Sequence, residues 1–208
     1  MAFIETIAPD AAEDELYRMY ERQEAAWGYV PNYAKVFCWR PEVMARWGRL
    51  LAEIRRPMGD RRFELVTFAA AHALKHTGCS LVHGKALADM VGEDAVQAIA
   101  AGRENASLPA ADWAMVRFAR KVALDAAAVT AADAEELRRH GLTDAEIFDL
   151  AAAAAGRAFF TQLLDALGVE TEASVTGFPP QLLRALTVGR PTVAGPRETL
   201  PAARETAG

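Results

Sequence analysis

Helix start and stop signals recur along the whole chain, whereas the signature of a β-strand is missing. No run rich in Val, Ile, Thr and Tyr alternates apolar and polar residues over several positions. Proline stands where helices should begin, at Pro41 and Pro109. Glycine stands where helices should end, at Gly28 and Gly168. The pattern predicts an all-α fold, a compact bundle of about eight helices.

The length and the last thirty residues indicate one domain with an appendage. At roughly 150 residues per domain, a chain of 208 residues is long enough for one domain and a short appendage. We place a single helical domain at 1–187. Its last long helix should open at a capping box formed by Thr143 and Glu146 and reach Leu167. Residues 188–208 contain several prolines and no periodic apolar face. They are expected to form an extended or disordered C-terminal arm.

Charge and hydropathy exclude several classes of function. Twenty-three basic and 28 acidic residues give a net charge of −5, which argues against nucleic acid as a partner. No apolar run reaches the ~18 residues of a membrane span without meeting a charge, and the longest, Leu150 to Leu164, contains Arg157. The first residues do not resemble a signal peptide. We therefore expect a cytoplasmic protein with no membrane partner.

Three of the four histidines lie within twelve residues, and a cysteine lies among them. On one continuous helix His72, His76, Cys79 and His83 would form a single stripe. Because Gly78 interrupts the helical pattern, two helices with a break between them fit the sequence equally well. Cys79 would then occupy the first turn of a new helix, where free backbone N–H groups stabilise a thiolate.

A thiol, an imidazole and a carboxylate can meet at this point. His83 lies one turn after Cys79 on the same helical face and can exchange a proton with the thiol. If the preceding helix packs antiparallel, Glu64 can approach His83 and orient its ring. A metal site is the alternative, in which His76, Cys79 and His83 bind zinc with Glu64 as a fourth ligand. It ranks lower because structural zinc sites usually take their ligands from separated pairs.

At these residues the sequence resembles the alkylhydroperoxidase D and carboxymuconolactone decarboxylase superfamily. His76 lies twelve positions after Glu64, Cys79 three positions after His76, and His83 four positions after Cys79. The family pattern is a glutamate, a C-x-x-C pair and a histidine. The stretches WGYVPNYAKVFCWRPEVMARW and AAAAAGRAFFTQLLDALGVE are also typical of it. The resemblance runs from about residue 10 to 187 and is strongest to the peroxidase-related branch.

The resemblance implies an all-helical fold with the motif at a helical hairpin, a homo-oligomer (trimer or hexamer), and no cofactor. It implies that Cys79 attacks a hydroperoxide while His83 and Glu64 relay protons. His76 stands where the family has its resolving cysteine. Reduction of an oxidised Cys79 would then require an external thiol, or Cys38 if the fold brings that residue close to Cys79. Cys38 is more simply a core residue, since Phe37 and Trp39 flank it.

The leading expectation is a thiol-dependent, peroxidase-like antioxidant oxidoreductase acting on hydroperoxides through Cys79. The first alternative is a decarboxylase-like lyase or isomerase that uses His83 and Glu64 as acid and base on a small carboxylated compound. Arg157 and Lys75 are candidate anchors for such a substrate, but a solvated or helix-covering side chain is the preferred interpretation of both. The second alternative is a non-catalytic oligomer with a vestigial or metal-binding site.

Overall fold

The computed structural model describes residues 2–173, 178–194 and 198–201. Within these ranges the chain forms ten α-helices and no β-sheet, which confirms the all-α prediction. Short 3₁₀ turns lie at Pro9–Ala11, Val36–Trp39 and Ala126–Ala128. The helices are α1 (Asp14–Trp27), α2 (Asn32–Lys35), α3 (Pro41–Met58), α4 (Asp60–Ala73), α5 (Thr77–Val91), α6 (Glu93–Ala100), α7 (Ala110–Asp125), α8 (Ala131–Arg139), α9 (Asp144–Ala166) and α10 (Pro180–Leu186).

Helix α4 lies at the centre of the bundle and packs against α5, α7 and α9. All nine residues from Phe63 to Ala71 are buried. Their sequence, FELVTFAAA, contains two polar side chains, and one of them, Thr67, donates a hydrogen bond to the Phe63 carbonyl oxygen at 2.7 Å. The other is Glu64, which is therefore held inside the core and must find a polar partner there.

Helix α9 runs beside α3, α4 and α7. The predicted capping box opens it: the Glu146 carboxylate accepts from the Thr143 backbone N–H at 2.8 Å, and Thr143 Oγ1 accepts from the Glu146 N–H at 3.3 Å. Gly168, with φ 68°, follows its end. In the described part of the chain, α9 alone is long and apolar enough to cross a membrane by length and composition. A core helix of a helical bundle meets the same criterion.

The ends of α1 and α3 have local causes. Asp10 lies in the first 3₁₀ turn, and α1 begins after it at Asp14. Pro57 lies within the last turn of α3, and the helix continues to Met58. A proline so close to a C-terminus removes a single backbone hydrogen bond, and Gly59, with φ 72°, then stops the helix.

The described part of the C-terminal arm is extended and packs on the helices. The Thr77 hydroxyl donates to the Val188 carbonyl oxygen, and Val193 pairs with Thr171 through a 2.8 Å backbone hydrogen bond. Glu198 forms an ion pair with the buried Lys35 at 2.9 Å. The boundary between a domain at 1–187 and an arm at 188–208 stays a prediction. Residues 195–197 and 202–208 of that arm, and 174–177 before it, lie outside the described residues.

Candidate active site

The motif lies at the hairpin between α4 and α5, where the chain breaks before the expected point. Helix α4 ends at Ala73, Lys75 has a left-handed φ of 58°, and α5 begins at Thr77. His76, rather than Thr77, caps α5: its Nδ1 accepts a hydrogen bond from the Cys79 backbone N–H at 3.1 Å. The continuous-helix alternative is therefore wrong. The Cys79 amide is also not free to stabilise its own thiolate, because His76 already uses it.

Gly78 has a different role from that of a helix breaker. It lies inside the first turn of α5 with an ordinary helical backbone. A β-carbon at this position would lie 2.7 Å from Thr171 Oγ1. Glycine therefore permits the segment after α9 to approach the motif closely.

The buried Glu64 pairs with the half-buried His83. Glu64 Oε2 lies 2.6 Å from His83 Nδ1, and Arg55 Nη2 lies 3.9 Å from Glu64 Oε1. Burial lowers the pKa of His83 to about 4, and the charge of Arg157 adds to this, against the raising effect of Glu64. The ring is thus neutral near pH 7. Its Nδ1–H donates to the carboxylate, which leaves the lone pair on Nε2 to accept a proton.

Cys79 is buried beside a guanidinium. Arg157 Nη1 lies 3.5 Å from Cys79 Sγ. Burial raises the pKa of the Cys79 thiol, but the positive charge of Arg157 and the contact with His76 outweigh it, so the pKa lies below its ordinary value. The positive charge that favours the thiolate therefore comes mainly from a side chain of α9.

Arg157 is expected from the sequence to be a solvated or helix-covering side chain, but the structure places it in the core. It is 4% exposed. Its guanidinium carbon lies 5.8 Å from the ring centre of Trp47 and 5.7 Å from that of Phe160, and these two rings stack at 4.2 Å. The available sequence signal was a single charge within the apolar run from Leu150 to Leu164. Lys75, the other candidate anchor, is exposed.

These side chains open into a cavity of about 390 Å³. Cys79, His76, His83 and Arg157 all line it, and Glu64 acts on it through His83. Most of the remaining wall is apolar and aromatic, which suits a small ligand with a flat apolar body. The other lining residues are Gln23, Ala26, Trp27, Tyr29, Pro31, Tyr33, Met44, Trp47, Gly78, Val82, Phe160, Leu164, Val169, Glu170, Thr171 and Glu172.

Cys38 and His72 do not belong to the lining of this cavity within the described residues. Cys38 is buried in the same apolar cluster as Cys79, and its Sγ accepts from the Ile7 N–H at 3.4 Å. Both cysteines are free thiols. His72 Nε2 lies 3.2 Å from the Ala185 carbonyl oxygen, on the side facing α10.

The residues proposed as a metal site do not form one. Among residues 2–173, 178–194 and 198–201, no group of three or more His, Cys, Asp or Glu side chains is arranged to hold a metal ion. His76 directs Nδ1 to a backbone N–H, and His83 directs Nδ1 to Glu64. The geometry gives the zinc alternative no support.

No protein-family model matches the sequence, and no curated protein matches it significantly. Solved structures do match. An uncharacterized peroxidase-related protein from Ralstonia eutropha JMP134, described as an alkylhydroperoxidase AhpD core, superimposes with a TM-score of 0.71 at 21% identity, over 91% of this chain and 98% of the other. The chain has the alkylhydroperoxidase D-like fold.

Two further structures share this alkylhydroperoxidase D-like fold. An uncharacterized peroxidase-related protein from Silicibacter sp. TM1040 has a TM-score of 0.70 at 22% identity, covering 85% of this chain and 94% of that one. A cysteine-to-alanine variant of the debrominase Bmp8, in complex with 2,3,4-tribromopyrrole, has a TM-score of 0.67 at 16% identity, covering 88% and 98%. The same fold thus occurs in proteins described as peroxidase-related and in a debrominase.

Proposed function

We propose that the protein is a thiol-dependent oxidoreductase that reduces hydroperoxides at Cys79. The observation that carries the proposal is the joint placement of Cys79, Arg157 and the Glu64–His83 pair around one cavity. The peroxidase-related proteins of the same fold support this class of activity.

The reaction divides between the residues as follows. The Cys79 thiolate attacks one oxygen of the hydroperoxide, a sulfur–oxygen bond forms, and the oxygen–oxygen bond breaks. Sulfur is oxidised to sulfenic acid and the peroxide is reduced to an alcohol. Nε2 of the neutral His83 takes up a proton and gives it to the leaving oxygen, while Glu64 holds the ring in the required tautomer.

The residues described as lining the cavity include no second cysteine, so reduction of the sulfenic acid on Cys79 requires an external thiol. That thiol condenses with Cys79 to a mixed disulfide and water. A second thiol then releases the external disulfide and restores Cys79. His76 occupies the resolving position and cannot form this bond.

A short hydroperoxide pulse followed by a sulfenic-acid trap and intact mass measurement tests the proposal. We expect an adduct on the wild type, none on Cys79→Ser, and a much slower one on His83→Ala. Cys38→Ser is the matched control, because Cys38 is also a buried thiol but does not line the cavity. An adduct that survives Cys79→Ser, or a Cys79 that stays unoxidised, contradicts the proposal.

A second candidate is the removal of a halogen from a small heteroaromatic ring. The aromatic cavity wall favours it, as does the Bmp8 variant crystallised with 2,3,4-tribromopyrrole. The thiolate would take the halogen as a sulfenyl halide while the ring carbon gains a proton. An external thiol would then displace halide and form a mixed disulfide with Cys79, which a second thiol would reduce. Incubation of the protein with 2,3,4-tribromopyrrole and a dithiol distinguishes dehalogenation from peroxide reduction. Bromide release that requires Cys79, in a protein that does not consume peroxide, supports dehalogenation.

The decarboxylase-like alternative makes the opposite prediction for the cysteine. Acid and base chemistry at His83 and Glu64 would survive Cys79→Ser and disappear in His83→Ala. The lowered pKa of Cys79 serves no purpose in that reaction, which is why we place it third.

We also propose a cytoplasmic homo-oligomer, a trimer or hexamer. Phe148 and Phe159 on α9 are 70% and 46% exposed and lie on the same face of a helix whose opposite side is in the core. Exposed apolar side chains in a row favour an interface between copies. Sedimentation of the wild type against Phe148→Asp tests it, because a monomeric wild type contradicts the proposal.

A further inference from the structure

Arg157 carries a buried charge with no carboxylate at ion-pair distance among the residues that the structure describes. Among the described residues, none of the ion pairs includes Arg157, although the side chain is 4% exposed. Its Nη1 approaches Cys79 Sγ at 3.5 Å. Its Nε is buried without a hydrogen-bond partner. A buried cation is normally compensated by an anion, and here the thiolate of Cys79 is the available one.

Any event that removes the charge of Cys79 leaves the guanidinium uncompensated. Oxidation to sulfenic acid, formation of a mixed disulfide, or substitution by serine each makes this position neutral. The stacked rings of Trp47 and Phe160 cannot supply the missing negative charge, although their faces attract the cation. The end of the cavity beside Arg157 then favours the binding of an anion from solution.

The rest of the cavity determines how such an anion would lie. The half-buried Glu170 and Glu172 line it together with the buried Arg157 and Cys79. The Glu172 carboxylate accepts a hydrogen bond from the Asn32 backbone N–H. A ligand with an anionic head and an apolar tail is therefore oriented head-first towards Arg157, with its tail among the aromatic side chains.

We propose that Arg157 makes the inner end of the cavity an exchangeable anion site, occupied by the Cys79 thiolate at rest and by a small external anion on a flat apolar body when Cys79 is neutral. The inference goes beyond the proposed function and rests on it only for the natural event that neutralises Cys79. During turnover, this site would draw in a reducing thiol that carries negative charge. Each thiolate arriving there replaces the charge that oxidation removed.

Calorimetric titration with benzoate, and with benzamide as its uncharged counterpart, tests the site. We expect benzoate to bind Cys79→Ser at least about fivefold more tightly than the wild type, a typical size for coupling between two charges. Benzamide should bind both proteins equally. Adding Arg157→Met to Cys79→Ser should lower benzoate affinity to that of benzamide. Equal benzoate binding by the wild type and Cys79→Ser, or binding retained without Arg157, overturns the proposal.

Two controls keep the outcome interpretable. Methionine has a length close to that of arginine and removes a buried charge, so Arg157→Met should fold, which circular dichroism checks directly. Arg157→Lys in the Cys79→Ser background should retain part of the benzoate preference if charge is the cause. The titration needs no peroxide. A failed peroxide assay with a positive titration therefore overturns the proposed function alone, and the reverse result overturns this inference alone.

Discussion

Arg157 in the middle of α9 reaches Cys79 in the first turn of α5, with Nη1 3.5 Å from Sγ. The two residues are 78 positions apart in the sequence. The contact connects the long alanine-rich helix to the α4–α5 hairpin. It also supplies positive charge beside the sulfur, which the N-terminus of α5, capped by His76, does not supply by itself. A positive charge at this distance, in a buried site, favours the anionic form of sulfur.

Removing the guanidinium should raise the pKa of Cys79. We expect Arg157→Met to lower the rate of iodoacetamide alkylation at neutral pH by about tenfold for each unit by which the thiol pKa rises. The pH at which thiolate absorbance appears should rise with it. Arg157→Lys is the matched control, since it keeps the charge and should show a smaller shift. An unchanged alkylation profile in Arg157→Met would show that His76 alone determines the thiol pKa.

His76 has two roles that substitution can separate. His76→Ala removes the side chain that caps α5 and should lower the free energy of unfolding by about 1 kcal/mol, as measured in urea. His76→Asn supplies another acceptor for the Cys79 N–H and should restore most of that stability. Neither variant has an imidazole at this position, however, so in both the pKa of Cys79 should lie above its value in the wild type. If His76→Asn restores both properties, the imidazole has no electrostatic role.

Much of the fold could be predicted from the sequence, because local signals determine helix ends. The capping box at Thr143 and the stop at Gly168 are both formed by neighbouring residues, and the structure contains both. The residue spacing also placed Glu64 beside His83, since an antiparallel hairpin brings positions on adjacent helices together. Arg157 could not be assigned in this way. Helical periodicity places it on the same face as the buried Leu150 and Leu164. Whether a charge is tolerated there depends on the stacked Trp47 and Phe160 and on a sulfur from a distant helix, which periodicity does not show.

The neutral state of His83 should make stability depend on pH. Its pKa is lowered from 6.5 to about 4 in the folded protein, so between these values the unfolded state binds more protons. The contribution is therefore fully present above about pH 6.5 and is lost as the pH falls towards about 4, by up to about 3 kcal/mol. Urea unfolding from pH 7 to 4 measures it. His83→Gln, which cannot titrate, should flatten the dependence relative to the wild type. Parallel curves for the two proteins would contradict the assignment of a neutral ring.

The contact between Gly189 and Lys75 should determine how firmly the C-terminal arm covers the motif. Gly189 has a φ of +70°, and a β-carbon there would lie 2.0 Å from the Lys75 carbonyl oxygen, beside His76. Gly102 has a similar φ of +64° with open space around it, which makes Gly102→Ala the matched control. Both alanine variants should carry the about 1–2 kcal/mol cost of a left-handed backbone. Gly189→Ala should in addition displace the arm, and alkylation of Cys79 by iodoacetamide should become faster in that variant alone. If the two variants show the same alkylation rate, the arm does not limit access to the cavity.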